Sequence, residues 1–290
     1  MATLRDYRKK IKGVKSTQQI TRAMKMMATA KLRRAMDRLN AARLYLEKLE
    51  QIVADLRDVV EDTHIHPLFG AKPVKRQGII LVSGERGLCA SFNHDLIKFT
   101  MALMKNNPQI EKKLLLIGKK GHEFFKKRNF TLLGYHADLL GFFSTEKIRL
   151  AARNAVKFYT NDIVDELIIV YTSFVSALER RITVKKLLPL EDIGSDKKTR
   201  HHRTQNIQFD PSPEAILNSL IPRYIEGLFT KAIMESSASE QGARMLAMSA
   251  ATDRADEMID ELTLKFNRTR QAAITKEINE VVAGADALAD

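Results

Sequence analysis

Residues 32–60 read LRRAMDRLNAARLYLEKLEQIVADLRDVV. The apolar members fall at Leu32, Ala35, Leu39, Ala42, Leu46, Leu49, Val53, Leu56 and Val60, in steps that alternate three and four without a break. That alternation is the heptad seam of a coiled coil, narrower than the stripe of an ordinary surface helix. Near the other end Met245, Met248, Thr252, Ala255, Ile259, Leu262, Phe266, Thr269 and Ala273 repeat it. Two seams at opposite ends of one chain predict a single antiparallel rod built from both termini. Such a rod is a mechanical or scaffolding element, not the wall of a substrate pocket.

Composition bounds the rest. With 290 residues, 44% hydrophobic and 29% charged, the chain can hold two domains and bury a sizeable core. No apolar run reaches the roughly 18 residues needed to span a bilayer. A single cysteine, Cys89, excludes an internal disulfide and points to a reducing compartment. The net charge of +13 is unevenly spread. Residues 1–62 carry 15 basic against 8 acidic side chains, residues 63–212 carry 25 against 14, and residues 213–290 carry 8 against 13. A basic first helix and an acidic last helix complement each other, although each exposed pair contributes only about 0.2–0.5 kcal/mol. The positive balance calls for acidic partners. The basic start, with Asp6 its one carboxylate before Asp37, could read as a targeting segment. Its helical pattern instead runs straight into the seam, and it has no small-residue cleavage region.

The expected organisation has four parts: an N-terminal coiled-coil helix over 1–66, a central α/β domain over 67–193, an exposed basic loop over 194–213, and a C-terminal coiled-coil helix over 214–290. The first helix stops before His66-Pro67, because a residue preceding proline is pushed out of helical geometry. Gly78-Ile-Ile-Leu-Val-Ser83 and Leu114-Leu-Leu-Ile117 are continuous apolar runs, as strands covered on both faces require. Further strands are expected at 130–135, 166–172 and 181–188, the last antiparallel at an edge. Helices are expected over 91–105, from 118 to 128, and over 144–160 with Ser144 as N-cap. Strands alternating with helices predict a Rossmann-like, mainly parallel sheet inserted between the terminal helices. Pro222 either kinks the last helix or marks a restart.

The chemical motifs are weak. Ser83-Gly-Glu-Arg-Gly-Leu-Cys89 stands between a strand and a helix, where a nucleotide turn would be, but it lacks the dinucleotide glycine spacing and the P-loop lysine. It reads as a tight turn with Gly84 and Gly87 in unusual dihedrals. Cys89 has no histidine or aspartate in a recognisable relation to it and reads as a small buried residue. His64 with His66, and His201 with His202, lack further ligands at zinc spacing and read as solvated. The reading therefore names no catalytic, cofactor or metal residue. Met24, Met26, Met27 and Met36, set among Arg22, Lys25, Lys31, Arg33 and Arg34, could form an adaptable apolar surface rimmed with charge. Two other classes compete: a basic coiled coil that binds nucleic acid, disfavoured by sparse aromatics and the acidic partner helix, and an enzyme with a nucleotide in the α/β module.

Thr17-Gln-Gln-Ile-Thr-Arg-Ala-Met-Lys-Met-Met-Ala28, with Lys31 after it, resembles the N-terminal helix of the gamma subunit of bacterial F-type ATP synthases. Ile274-Thr-Lys-Glu-Ile-Asn-Glu-Val-Val-Ala-Gly-Ala285 is similar to that family's C-terminal signature, and Ser239–Asp253 to the helical block before it. Arg86-Gly-Leu-Cys89 resembles a short motif of its α/β domain, where the family usually continues with Gly and this chain has Ala90. Arg254 likewise stands where the family usually has Asn. The resemblance implies a non-catalytic central rotor shaft that couples proton-driven rotation to ATP synthesis or hydrolysis. Its implied partners are the alpha and beta subunits of the catalytic head, the epsilon subunit and the membrane ring of c subunits, with no nucleic acid and no direct membrane insertion. The implied location is the cytoplasmic face of the bacterial inner membrane. By matching positions, Arg22, Met24 and Lys25 would meet acidic lever loops of the catalytic subunits. Arg270 and Gln271 would engage another loop, Thr275 and Glu277 would bear on coupling, and the small apolar tip from Val281 to Leu288 would act as a bearing.

Overall fold

The computed structural model describes residues 3–60, 68–70, 72–141, 143–190 and 210–289. The four histidines weighed above as metal ligands, and most of the expected 194–213 loop, lie outside the described residues. The first helix, α1, runs Leu4–Val59. It opens on a reciprocal cap: the Thr3 N–H and hydroxyl donate to Asp6 Oδ2 at 2.9 and 2.8 Å, and the Asp6 N–H returns to Thr3 Oγ1 at 3.3 Å. Then follow β1 (Arg76–Val82), α2 (Phe92–Lys105), β2 (Glu111–Ile117), α3 (Lys119–Phe125), β3 (Leu132–His136), α4 (Thr145–Thr160), β4 (Glu166–Phe174) and β5 (Arg180–Leu188). The last helix, α5, spans Pro213–Ala289 and continues through Pro222. The expected combination, terminal helices that pair and an α/β sheet between them, is the one observed.

The chain divides into two compact units, one of residues up to Ala28 with those from Arg244 onward, the other of Thr29–Ala243. In the second unit the sheet order is β3-β2-β1-β4-β5. β1 pairs in parallel with β2 and β4, β3 in parallel with β2, and β5 antiparallel with β4. The uninterrupted apolar strands are buried on both faces. Ile79, Leu81, Leu114, Leu116, Ile168 and Val170 point to α2 and α3, packing with Leu96, Ile97 and Phe125. Ile80, Val82, Leu115, Ile117 and Ile169 point the other way, to α4, α1 and the first part of α5. Ser144 caps α4 by accepting the Lys147 N–H at 3.4 Å.

The 32–60 seam is buried as its spacing requires, with Leu39, Val53 and Leu56 almost fully enclosed. Its partner, however, is not the 245–273 run. Leu46, Leu49, Val53, Leu56 and Val60 join the sheet core, with Leu217, Ile221, Tyr224, Leu228 and Ile233 of α5. The 245–273 run pairs inside the other unit with the first turns of α1. There the α1 positions turned toward α5 are Leu4, Tyr7, Ile11, Val14, Gln18, Thr21, Lys25 and Ala28, again in steps of three and four and each at least half-buried. The register is antiparallel: the Arg8 guanidinium lies 5.4 Å from the Phe266 ring, Gln18 donates to Asp256, the Thr21 and Thr252 hydroxyls meet at 2.8 Å, and Lys25 Nζ donates to Ser249 Oγ at 2.9 Å. Three successive layers of this seam are therefore polar and hydrogen-bonded across the pair.

The turn after β1 differs from expectation. Neither Gly84 nor Gly87 has a positive φ; Leu88 (φ 61°) and Ala90 (φ 50°) take the left-handed conformation instead. Gly84 is required for closeness, because a Cβ there would lie 2.8 Å from Asn93 Oδ1 and 3.1 Å from Glu240 Cδ. Asn93 holds the turn by accepting the Gly84 N–H at 2.8 Å and donating to the Arg86 carbonyl at 3.3 Å.

Two measurements check this account. Since a left-handed Cβ crowds its own backbone, Ala90→Gly should raise the unfolding free energy by about 0.5–1 kcal/mol in a denaturant melt. Thr21→Val and Thr252→Val should each cost about 1 kcal/mol. The double variant should cost less than their sum by about 0.5 kcal/mol or more, as a shared hydrogen bond demands.

Candidate functional site

On the paired terminal helices, Arg22 is exposed, whereas Met24 and Lys25 are half-buried and Lys25 is held by Ser249. Lys25 thus sits in the seam, because position 25 follows 18 and 21 in the three-four alternation. The outward apolar side chains are Ile20, Met26 and Met27, each more than half exposed, beside Arg22. Lys9, Lys10, Lys12 and Lys15 are exposed on the earlier turns. Arg270, Gln271, Thr275 and Glu277 all face water on α5. The pairing register carries α1 to its start at Leu4 while α5 continues. Beyond that point Ile274, Ile278, Val281 and Val282, spaced along one helical face, stay 47–71% exposed. The residues named from sequence therefore fall in two groups, one around Arg22 on α1 and one after Thr269 on α5. The sequence reading missed the outward Ile20 and the seam role of Gln18 and Thr21, because polar seam residues carry no hydrophobic signal.

The sheet unit offers a second place to look. Its order changes direction between β1 and β4, since α2 and α3 lie on one face and α4 on the other. In an open α/β sheet the crevice at the carboxyl ends of those two strands is where ligands bind. Here α5 fills it. Ser236 donates to the Val82 carbonyl at 3.2 Å and Ser239 to the Thr172 carbonyl at 3.2 Å. Donors of the turns on this edge are engaged within the chain. The Ser83 N–H bonds Ile117, the Gly84 N–H bonds Asn93, and the Gly121 N–H bonds Ser83 Oγ. Burial pushes the Glu85 carboxyl above its ordinary range, against the backbone N–H of Lys119. A carboxylate in that position repels phosphate, so the nucleotide reading finds no support at this turn. Cys89 is buried against Phe92 and Ala243 and accepts from Asn93 Nδ2 at 3.2 Å. Among the described residues no group of three or more His, Cys, Asp or Glu side chains is arranged to hold a metal.

Beside this crevice lies an ionic node between a buried carboxylate and a partly exposed guanidinium. Arg43 Nη2 donates to Glu235 Oε1 at 3.0 Å and to the Phe174 carbonyl at 3.3 Å, tying α1, α5 and the end of β4 together. The Glu235 side chain is 4% exposed. Burial, with the Glu235 charge nearby, pushes the Tyr171 hydroxyl up to about 12, and burial pushes Lys185 down. Sequence reasoning passed over this node. Its one signal was a carboxylate set among small and apolar residues of α5.

Comparison with known proteins connects these features. The family described as ATP synthase matches residues 3–288. The ATP synthase gamma chain of Chlorobaculum tepidum is 42% identical over 294 residues, covering 99% of both chains. That of Brevibacillus brevis is 41% identical over 288 residues, again 99% of both. A chain of the Euglena gracilis mitochondrial ATP synthase superposes with a TM-score of 0.65 at 18% identity, covering 98% of this chain and 94% of that one. A chain of the Tetrahymena thermophila mitochondrial ATP synthase central stalk and c-ring superposes with a TM-score of 0.60 at 22% identity, covering 80% and 99%. At those identities the structures speak for the fold, and the full-length relatives for the family: this chain belongs to the ATP synthase gamma chains.

Proposed function

We propose that the chain is the central rotor stalk of an F-type proton-translocating ATP synthase, transmitting rotation between a membrane ring and a catalytic head. The observation that carries this is the α1–α5 pair of the terminal unit. It combines an exposed basic and methionine-rich surface on one helix with an apolar stripe on the other, and neither is covered by the described residues. A surface of that kind suits contact with surrounding subunits. The full-length similarity to gamma chains supplies the class of partner: the alpha and beta subunits around the helix pair, the epsilon subunit and the c ring at the sheet unit.

In this reading the chain has no catalytic side chain of its own. It acts by making different contacts with the head at each rotary position, and only such differences can shift the conformation of a surrounding site. Arg22, Met24 and Lys25 would meet acidic loops of the catalytic subunits, and Arg270, Gln271, Thr275 and Glu277 would meet a second set. Met24 and Lys25, half-buried, would do so through their outer atoms. The stripe from Ile274 to Val282 would turn within an apolar collar. No described helix is long and apolar enough to cross a membrane. We place the chain peripherally, on the cytoplasmic face of a bacterial inner membrane, held there by its partners.

Two experiments test this. Added to a complex depleted of its gamma chain, the protein should restore ATP-driven proton pumping while hydrolysing no ATP alone; a complex that stays unable to pump would refute the reading. Met24→Lys should lower protons pumped per ATP several-fold while changing unfolding free energy by no more than about 1 kcal/mol. Normal pumping by that variant would remove Met24 from the contact set.

A further inference from the structure

Four hydroxyls of α5 follow the usual habit of helical threonines. Thr230, Thr252, Thr263 and Thr269 bond back to the carbonyl four residues earlier, at 2.7–2.9 Å. Three serines in succession do otherwise. Ser236 Oγ donates to the Val82 carbonyl at 3.2 Å, Ser237 Oγ to the Leu140 carbonyl at 3.1 Å, and Ser239 Oγ to the Thr172 carbonyl at 3.2 Å. Ser236 and Ser239 are fully buried. Val82 and Thr172 lie at or near the carboxyl ends of β1 and β4, and Leu140 lies in the segment between β3 and α4. The helix reaches these groups because its side chains are small here. Ala238 and Ala243 are buried with the serines. Strand-end carbonyls that a ligand or water would otherwise satisfy are satisfied by the chain's own helix.

We infer that Ser236–Ala243 is a joint: a ligand crevice converted into a socket that fastens α5 to the sheet, through which turning force passes between them. This rests on the rotor reading and adds the place where force is transferred. Ser236 and Ser239 are positioning residues in it, and Arg43 and Glu235 flank it. The apolar core around Leu217–Ile233 also holds α5 to the sheet, but fully apolar contacts can slide, whereas a hydroxyl bonded to a fixed carbonyl sets one orientation.

The test uses complexes rebuilt with wild type, Ser236→Ala/Ser239→Ala and Ser236→Ala alone. ATP hydrolysis and ATP-driven proton pumping are measured on each, and amide hydrogen exchange on each chain. The double variant should exchange about tenfold faster at 236–243 and at the ends of β1 and β4. It should hydrolyse ATP normally and pump about twofold fewer protons per ATP. The single variant should lie between, which serves if the double variant does not assemble. Unchanged exchange would overturn the fastening, and faster exchange with an unchanged pumping ratio would overturn the transfer of force. If wild type itself restored no pumping, the rotor reading would fall and the joint with it; a wild-type complex that pumps, beside variants indistinguishable from it, sinks the joint alone.

Discussion

The cross-helix contact between the first turns of α1 and the second half of α5 is the constraint on which the architecture depends. Bringing residues near 20 against residues near 250 closes a very long loop, but the entropic cost of closure rises only logarithmically with length. That modest cost is met once, whereas the strands of the sheet are joined by much shorter connections of their own. The seam achieves this with little apolar area in its middle layers, where Gln18, Thr21 and Lys25 stand opposite Asp256, Thr252 and Ser249. Polar seam layers lower stability relative to an all-leucine seam and raise discrimination, because a shifted pairing leaves half-buried donors unmatched. For helices proposed to turn their outer faces to other subunits, discrimination is worth more than adhesion.

The same trade recurs in the sheet unit. Glu235 binds Arg43 from α1, and the same guanidinium nitrogen donates to the Phe174 carbonyl, so the pair also orders a third element, the end of β4. Removing one partner of such a pair leaves an uncompensated buried charge, which is why pairs of this kind act as alignment devices more than as sources of stability. Hydroxyls, an ion pair and the close approach of Gly84 to Glu240 thus converge where α5 crosses the strand ends. The large apolar side chains are concentrated farther back, among Leu217–Ile233.

Much of this was legible in the residues. The apolar runs of β1, β2 and β4, the Ser144 cap and the two heptad seams each announce their structure through periodicity or turn chemistry. What periodicity could not give was the partner. Leu46, Leu49 and Val53 repeat like a coiled coil, but they pack against a sheet and the start of α5, because a heptad reports which side is buried and not what covers it. The true seam of α1 with the 245–273 run was hidden, since Gln18, Thr21 and Lys25 look like surface residues until their partners are seen. The turn after β1 misled for a related reason. Glycines invite the expectation of a positive φ, while the geometry put Leu88 and Ala90 there and kept Gly84 for lack of space. The candidate contact residues came from resemblance to a family. Nothing in their own spacing marks Arg270 or Thr275 apart from neighbouring exposed positions.

The uncovered stripe of Ile274, Ile278, Val281 and Val282 carries a consequence for how a cell must make this protein. Four large aliphatic side chains left in water on one helical face will find one another on neighbouring copies wherever free chains are abundant. Surplus synthesis would then feed insoluble clumps instead of a reserve pool. If the proposed apolar collar is what covers this face, translation in step with its subunits, or a chaperone that shields the stripe meanwhile, becomes a requirement of production set by four residues.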